Sequence, residues 1–505
     1  MYFCTYPHFG LKKAQNSVYW AEVTPTFSQT LPPFLWHFQS GYSPKYVFLY
    51  LSCILSTYLS IFLLFWGRIS IEHFYALLLN TPSGRCAMAD FQVPLPTLTS
   101  AYLDLIDENN DLVSYFHSIN LSHIHPVVTE CYSDVGPQGY GVGLFLSRIL
   151  KVKQTFVSDR ILAKRLAENS TYRYLCLLDK GFTPAHNTYH TLRKHLGVRG
   201  YAHIHINFVK EAHKLGLLNP PLVQLPKNRR KGLILIGDST PIRSYCSSKG
   251  VKQDDGSWLF TDPSVSFGRP HHKYKYPVGH KAHSLITITG IPTVSIVSTR
   301  SDSDQEYIFP LLDEFKKRFP FLSIAYIVLD KGYDTDEIHK GIYENYNIIP
   351  IIIRKKMVYQ IEFNKEGTPL CDFGYPLTKT GVDYKRKRTR YHCKKICQSD
   401  TQMIFPCPSF DRGGLTSYTH FRDNYRKFGP ATPQTTIYKK LKPFRTAIER
   451  EYGLVKENRY RMEYMNTYMG IDNVTMHVIE HDIVLTQDII YEFNSTKKIS
   501  PVIKV

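Results

Sequence analysis

Apolar and polar positions change period several times along the chain, and each change predicts a different kind of element. Tyr46 to Trp66 (YVFLYLSCILSTYLSIFLLFW) is a run of 21 residues with no charge and an aromatic residue at each end. As a helix rising ~1.5 Å per residue, it is long enough to cross a hydrocarbon layer of ~30 Å. It is too long, and too far from the N-terminus, for a signal peptide, and no second span follows it. The character changes at Met88, where ADFQVPLPTLTSAYLDLIDENNDL reads as the polar, capped start of a soluble domain. Residues 1–87 are therefore expected to be an extension from an upstream start codon, outside the working protein. A membrane anchor through 46–66 and an apolar helix packed on the body are the alternatives.

From 88 to 215 the apolar residues recur at spacings of three and four. LTSAYLDLIDEN, GVGLFLSRILKVKQ, SDRILAKRLAEN and NTYHTLRKHLG show this spacing, and Ser, Asp or Asn stands near the starts of most of them, which predicts a helical domain. GPQGYGVG (136–143) lacks the preceding strand and the lysine of a phosphate-binding loop, so it is read as a turn into a helix. Residues 216–232, containing LNPPLVQLPKNRRKG, form a proline-rich basic linker. A second domain, 233–490, follows with a different rhythm. It reads strand (233–238), strands around HSLITITGIPTVSIVS, helix (DQEYIFPLLDEFKKRF), strand (IAYIVLD), helix (TDEIHKGIYENY) and strand (NIIPIIIR). Three leading strands followed by alternating helix and strand is the order of an RNase H-like fold, a mixed α/β sheet with helices on both faces. The interval from about 357 to 440 breaks this rhythm and looks inserted, with KMVYQIEFN and QMIFPCP suggesting a β-rich subdomain. Residues 491–505 are read as a tail.

Charge changes the picture more than composition does. Lys and Arg number 62 against 43 Asp and Glu, a net charge of +19 and a pI near 9.3, which favours a polyanionic partner, most simply nucleic acid. Lys227 to Lys231, Arg354 to Lys356 and Lys385 to Arg390 concentrate that charge, although any one run is equally well a solvated loop. The stretch PAHNTYHTLRKHL is expected to expose Thr188, His190, Arg193 and Lys194, either as a DNA recognition helix or as a packing helix with a basic outer face. Ten cysteines are scattered over the chain without a dense framework, as in a reduced cytosolic protein. Cys371, Cys393, Cys397 and Cys407 fall in one region with irregular spacing, so a four-thiolate zinc site and free buried thiols are both open readings.

Three acids stand out against this background. Asp238 ends one apolar run (GLILIGDST), Asp330 ends another (IAYIVLDKGYD), and Glu449 lies in FRTAIEREYGLVK, a helix-like stretch. Two carboxylates fixed on a sheet and a third on a packed helix are how oxygen ligands for a pair of hard divalent cations are assembled. Helical offsets of four and seven put Arg445, Glu449 and Lys456 on one face, so the acid stands between two cations suited to phosphate. A surface helix with an Arg–Glu pair, worth a few tenths of a kcal/mol, is the bland alternative. Glu451 and Glu457 are other acids of this stretch; Glu451 projects about 200° away from Glu449. The adjacent His271 and His272 point to opposite sides of an extended segment, which favours a solvated loop over a metal site.

Together these motifs make the chain from Met88 to about 490 resemble a DDE transposase of prokaryotic insertion sequences. The resemblance is to the class with a β-rich insertion and a Tyr-Arg-Glu-Lys signature. DSTPI at Asp238, DPSVSFGRP at 262–270, VGHKAH at 278–283, DKGYD at Asp330 and the Arg445, Glu449, Lys456 spacing occur in the order of that class, with Lys442 at the position of the signature Tyr. The resemblance implies two Mg²⁺ ions, replaceable by Mn²⁺, held about 4 Å apart by Asp238, Asp330 and Glu449. They would activate water to cut the element's end and then the 3′-OH that attacks target DNA. Asp334, His280 and His283 are expected to support the metal ligands, and Lys281, Arg445, Lys456, Arg193 and Lys194 to contact DNA. The implied partners are double-stranded element ends and target DNA, bound by a homodimer in a synaptic complex in the cytoplasm, at the nucleoid. A nuclease of the same fold without strand transfer and a non-catalytic, membrane-tethered DNA-binding protein are the rival classes. Only the second leaves the three acids without a purpose.

Overall fold

The computed structural model describes residues 111–132, 140–178, 183–221, 225, 230–268, 277–355, 362–393, 409 and 413–498. Every described residue belongs to one compact unit, Val93–Val505. The apolar run at 46–66, LTSAYLDLIDEN, His271 and His272, QMIFPCP and most of KMVYQIEFN lie outside the described residues. Among the described residues no helix is long and apolar enough to cross a membrane.

The N-terminal region is helical, as the spacing of apolar residues predicts. It comprises α1 (Asp111–His117), α2 (His125–Thr129), α3 (Val142–Lys153), α4 (Asp159–Glu168), α5 (Ser170–Leu175) and α6 (His186–Lys214). Gly141, at φ 52°, turns the chain into α3, and the Ser158 hydroxyl caps α4 by accepting from the Ile161 amide at 3.3 Å. Within α6 the backbone leaves helical geometry at Gly197 (φ 55°, ψ −176°), so two helical pieces run in tandem.

The second region is built on a mixed sheet of β1 (Leu233–Arg243), β4 (Ser266–Phe267), β5 (Val278–Thr287), β6 (Pro292–Thr299), β7 (Ile324–Leu329) and β8 (Ile349–Ile352). A small ribbon of β2 (Val251–Lys252) and β3 (Trp258–Leu259) lies between β1 and β4 in sequence. Strand β1 is central, antiparallel to β5 and parallel to β7, while β7 and β8 are parallel. Strand β6 pairs with β5 from His280 onward, where β4 stops. Helix α7 (Ile308–Arg318) connects β6 to β7, and α8 (Asp336–Tyr346) connects β7 to β8. This is the RNase H-like arrangement, a mixed α/β sheet with a β-rich insertion, preceded by helices.

The insertion contributes a three-stranded antiparallel sheet, β9 (Thr378–Asp383), β10 (Arg388–His392) and β11 (Thr416–His420). These strands are polar, which is why the apolar-run reading picked other segments. Helices α9 (Tyr425–Phe428), α10 (Thr436–Leu441), α11 (Arg445–Gly453) and α12 (Ile471–Thr496) complete the chain.

Alternation along β1 divides its neighbours. Leu233 and Leu235 join a core with α6, α7 and α12, whereas Ile234 and Ile236 join a second core with Ala447 and Ile448 of α11. The first core is continuous from Phe145 and Phe208 in the helical region to Leu285 and Val294 in the sheet, so the two regions share one interior.

Two elements depart from the sequence reading. Strand β1 does not end at Asp238 but continues to Arg243, because β5 accompanies it as far as the Arg243–Gly279 pair. The C-terminal helix α12 runs through the boundary drawn at 490 and is buried on several sides against α6, α3 and β6. Its polar positions are also interior, including Glu480, His481 and Gln487, which hides the one-sided periodicity that sequence reading depends on.

Candidate active site

Register sets the first two acids. The parallel pairing of Gly237 with Leu329 brings Asp238 beside Asp330 across the β1–β7 edge. Asp238 continues the series Ile234, Ile236 toward the face covered by α11, and its carboxylate accepts the Ser239 amide at 2.8 Å. Asp330 opens a tight turn, Lys331–Tyr333, in which the Tyr333 amide returns to the Asp330 carbonyl at 3.1 Å. Tyr333 is 2% exposed and anchors that turn in the core.

The third acid arrives on α11. Ala447 and Ile448 are fully buried, which fixes the helix rotation and leaves Glu449 on the open side. Glu451 points into the interior at 2% exposure, as its 200° offset predicts. Arg445, one turn before Glu449, joins the three acids. Its Nη2 lies 3.2 Å from Asp238 and its Nε 3.5 Å from Asp330, and its Nη1 pairs with Glu449. Each of the three guanidinium nitrogens thus faces a different carboxylate. Tyr452 adds a backbone anchor by donating its hydroxyl to the Asp238 carbonyl at 2.9 Å. Sequence reading missed Tyr452, although its i+3 spacing from Glu449 was a usable signal.

Burial pushes the Asp238 carboxyl up to about 6; the Ser239 amide and Arg445 oppose the shift, while Asp330 and Asp304 reinforce it. Asp304, at the start of a short turn before α7, is a further acid of this neighbourhood that the motifs did not single out. Three carboxylates on separate rigid elements have the donor chemistry of a hard divalent cation site. Arg445 stands among them, and among the described residues no group of three or more His, Cys, Asp or Glu side chains is poised to hold a metal ion.

The remaining expected site residues are distributed differently. Lys281 donates to the Asp302 carbonyl at 2.7 Å and pairs with Asp304 at 2.9 Å. His280 and His283 are fully buried, and burial holds both imidazoles below their ordinary pKa, His283 at about 4. They bond Ser264 at 2.9 Å and Ser298 at 2.8 Å, and His283 stacks on Tyr307 with centroids 4.2 Å apart. Such neutral rings buttress strand β5 and are poor phosphate cations. Asp334 is buried among Arg354, Arg426 and His339, away from solvent.

Two expectations of exposure are corrected. Arg193 is 2% exposed; it pairs with Glu480 at 2.9 Å and lies 3.9 Å over the Tyr468 ring. A guanidinium so enclosed has no face for DNA, whereas Lys194 and His190 on the same helix are exposed and Thr188 is half-buried. Arg354 also turns inward from its basic run. Lys456 does not continue the α-helical face of Glu449, because the chain changes to a π-helical turn at Leu454–Asn458, where Lys456 pairs with Glu463 at 3.5 Å. Cys371 and Cys393 are half-buried, while Cys397 and Cys407 lie outside the described residues.

Residues 229–406 match a family model described as a transposase DDE domain. The match contains Asp238 and Asp330 and stops before Glu449. No curated protein matches the sequence.

Proposed function

We propose that this chain, whose residues 229–406 belong to the transposase DDE domain family, cuts DNA at the ends of a mobile element and joins the 3′-OH ends to target DNA. The observation that carries the reading is the convergence of Asp238, Asp330 and Glu449, from two neighbouring strands and a facing helix, on one guanidinium. Divalent cations, Mg²⁺ or Mn²⁺, bound by these acids would supply activation of water and of the 3′-OH and would stabilise charge at the attacked phosphate.

The chain's own residues do the rest. Sheet register and the buried face of α11 hold the carboxylates on packed backbone, so their oxygens are oriented before DNA arrives. Arg445 balances the acids in the free protein and is placed to take a DNA phosphate when they are otherwise neutralised. The basic turn between β9 and β10, with Lys385 and Arg386 exposed, and Arg390 exposed on β10 extend a positive surface into the insertion. Lys194 and Lys281 are further phosphate contacts in this reading, and two copies of the chain synapse the two element ends.

The test is an assay with purified protein, labelled element-end DNA and a target plasmid in Mg²⁺ or Mn²⁺. Nicking followed by covalent joining of the 3′ end supports the reading. Hydrolysis without joining supports a nuclease of the same fold, and DNA binding without either reaction removes the catalytic assignment.

A further inference from the structure

Asp238 and Asp330 are held together by the β1–β7 ladder, but α11 is tied to the sheet differently. Between β8 and α11 the chain passes through the whole insertion, and a connection of that length fixes the position of its ends poorly. Asp334 bridges this gap. It lies four residues after Asp330 and its side chain is fully buried. Its Oδ1 accepts from His339 Nε2 at 3.1 Å and Arg354 Nη1 at 3.4 Å. Its Oδ2 accepts from the Lys355 amide at 2.8 Å, Arg426 Nε at 3.0 Å and Arg426 Nη2 at 2.8 Å. Arg354 and Lys355 are where the chain leaves β8 for the insertion, and Arg426, in α9, follows β11, the last strand of the insertion's sheet. Arg354 also donates to the carbonyls of Arg426 and Ala431, and the Arg426 amide donates to Asp336 at 2.8 Å. One carboxylate thus gathers the segments that enter and leave the insertion's three-stranded sheet onto the segment that carries Asp330.

We propose that Asp334 is a positioning residue, which closes the insertion at its base and thereby sets α11, with Glu449 and Arg445, in register with Asp238 and Asp330. The link to metal binding rests on the function proposed above. A buried carboxylate held by two guanidiniums contributes little net stability for its desolvation cost, but its geometry is directional. Burial works against the Asp334 charge, and the hydrogen bonds from His339 and Arg426 overcome it, so the group stays ionised.

The experiment compares Asp334→Asn with Glu344→Gln in the full chain. Glu344 holds Lys387 at 2.7 Å and the Tyr425 hydroxyl on the outer side of the same junction, so its loss perturbs the insertion without touching the clasp. Asp334→Asn is expected to speed amide exchange in α11 and the Lys331–Tyr333 turn about tenfold and to weaken Mn²⁺ binding, measured by calorimetry, about tenfold. Glu344→Gln should lower Tm while leaving both unchanged. Arg426→Lys, which keeps the charge but loses the two-pronged contact, gives an intermediate result and stands in if Asp334→Asn does not fold. Unchanged exchange and Mn²⁺ affinity in Asp334→Asn, or equal effects from Glu344→Gln, overturn the proposal. If the wild-type protein binds no Mn²⁺, the catalytic reading falls, while the exchange comparison still decides the clasp.

Discussion

Arg445→Ala is the most informative single change, because the guanidinium plays against the metal and toward the DNA. In the free protein it lies 3.2 Å from Asp238 and 3.5 Å from Asp330 and pairs with Glu449. The contacts to Asp238 and Asp330 alone, at an effective dielectric of ~20, are worth several kcal/mol each in gross Coulomb energy, most of which is offset by desolvation of the ions. A net contribution of about 2 kcal/mol is a reasonable working value for a half-buried set of this kind. A divalent cation entering the site must displace the guanidinium and forfeit that amount. Removing Arg445 should therefore tighten Mn²⁺ binding by about thirtyfold in the absence of DNA, since ~1.4 kcal/mol is a factor of ten. The metal-free protein should lose a few degrees of Tm, and Mn²⁺ should restore them. Element-end DNA should bind more weakly, and its log K against log salt should flatten by about one unit of slope, because one phosphate contact is lost. The assays are calorimetry at pH 8, where Asp238 is ionised, thermal melts in chelator and in Mn²⁺, and a salt series of DNA binding. Mn²⁺ affinity equal to or below wild type would refute the competition, whatever happened to DNA.

Other consequences are as direct. Asp238→Asn, Asp330→Asn and Glu449→Gln should each abolish cleavage while keeping most DNA binding; near wild-type cleavage by any one of them would show that the residue is misassigned. With the Asp238 carboxyl raised to about 6, metal must displace a proton at lower pH, so Mn²⁺ affinity should fall by up to about tenfold per pH unit below 6 and level off above 7. A calorimetric titration at pH 5, 6, 7 and 8 checks this, and a flat profile contradicts it. Asp482, buried and accepting from the Ser295 hydroxyl at 2.7 Å, is pushed up to about 7 by burial. A folded pKa above the unfolded value near 3.9 means that its contribution is complete at low pH and is lost as pH rises through about 7. Asp482→Asn, which keeps an acceptor for Ser295, should therefore gain about 2–3 kcal/mol over wild type in urea melts between pH 5 and pH 8.5. No difference between the two pH values would show that Asp482 is not held neutral.

Much of this protein was legible from local pattern, and the reason is that its central elements are regular. The runs GLILIGD and IAYIVLD are strands because their residues are buried on both faces, and TDEIHKGIYENY is a helix whose Thr335 cap the sequence displays. Their order was enough for the RNase H-like sheet, and the 200° offset was enough to separate Glu451, which is buried, from Glu449, which is open. Tertiary structure decided what charge does once the chain is folded. Arg193 and Arg354 look like members of basic surfaces, yet each is enclosed by acids remote in sequence, Glu480 and Asp334. Sequence spacing measures position along an element, whereas burial of a long cationic side chain depends on which element packs over it, as α12 does over α6. The same applies to Lys456, where one π-helical turn undoes an offset computed for an α-helix. It applies most to Arg445, whose three acidic neighbours come from β1, the turn after β7 and α11, so that its setting exists only when register and helix packing are both in place.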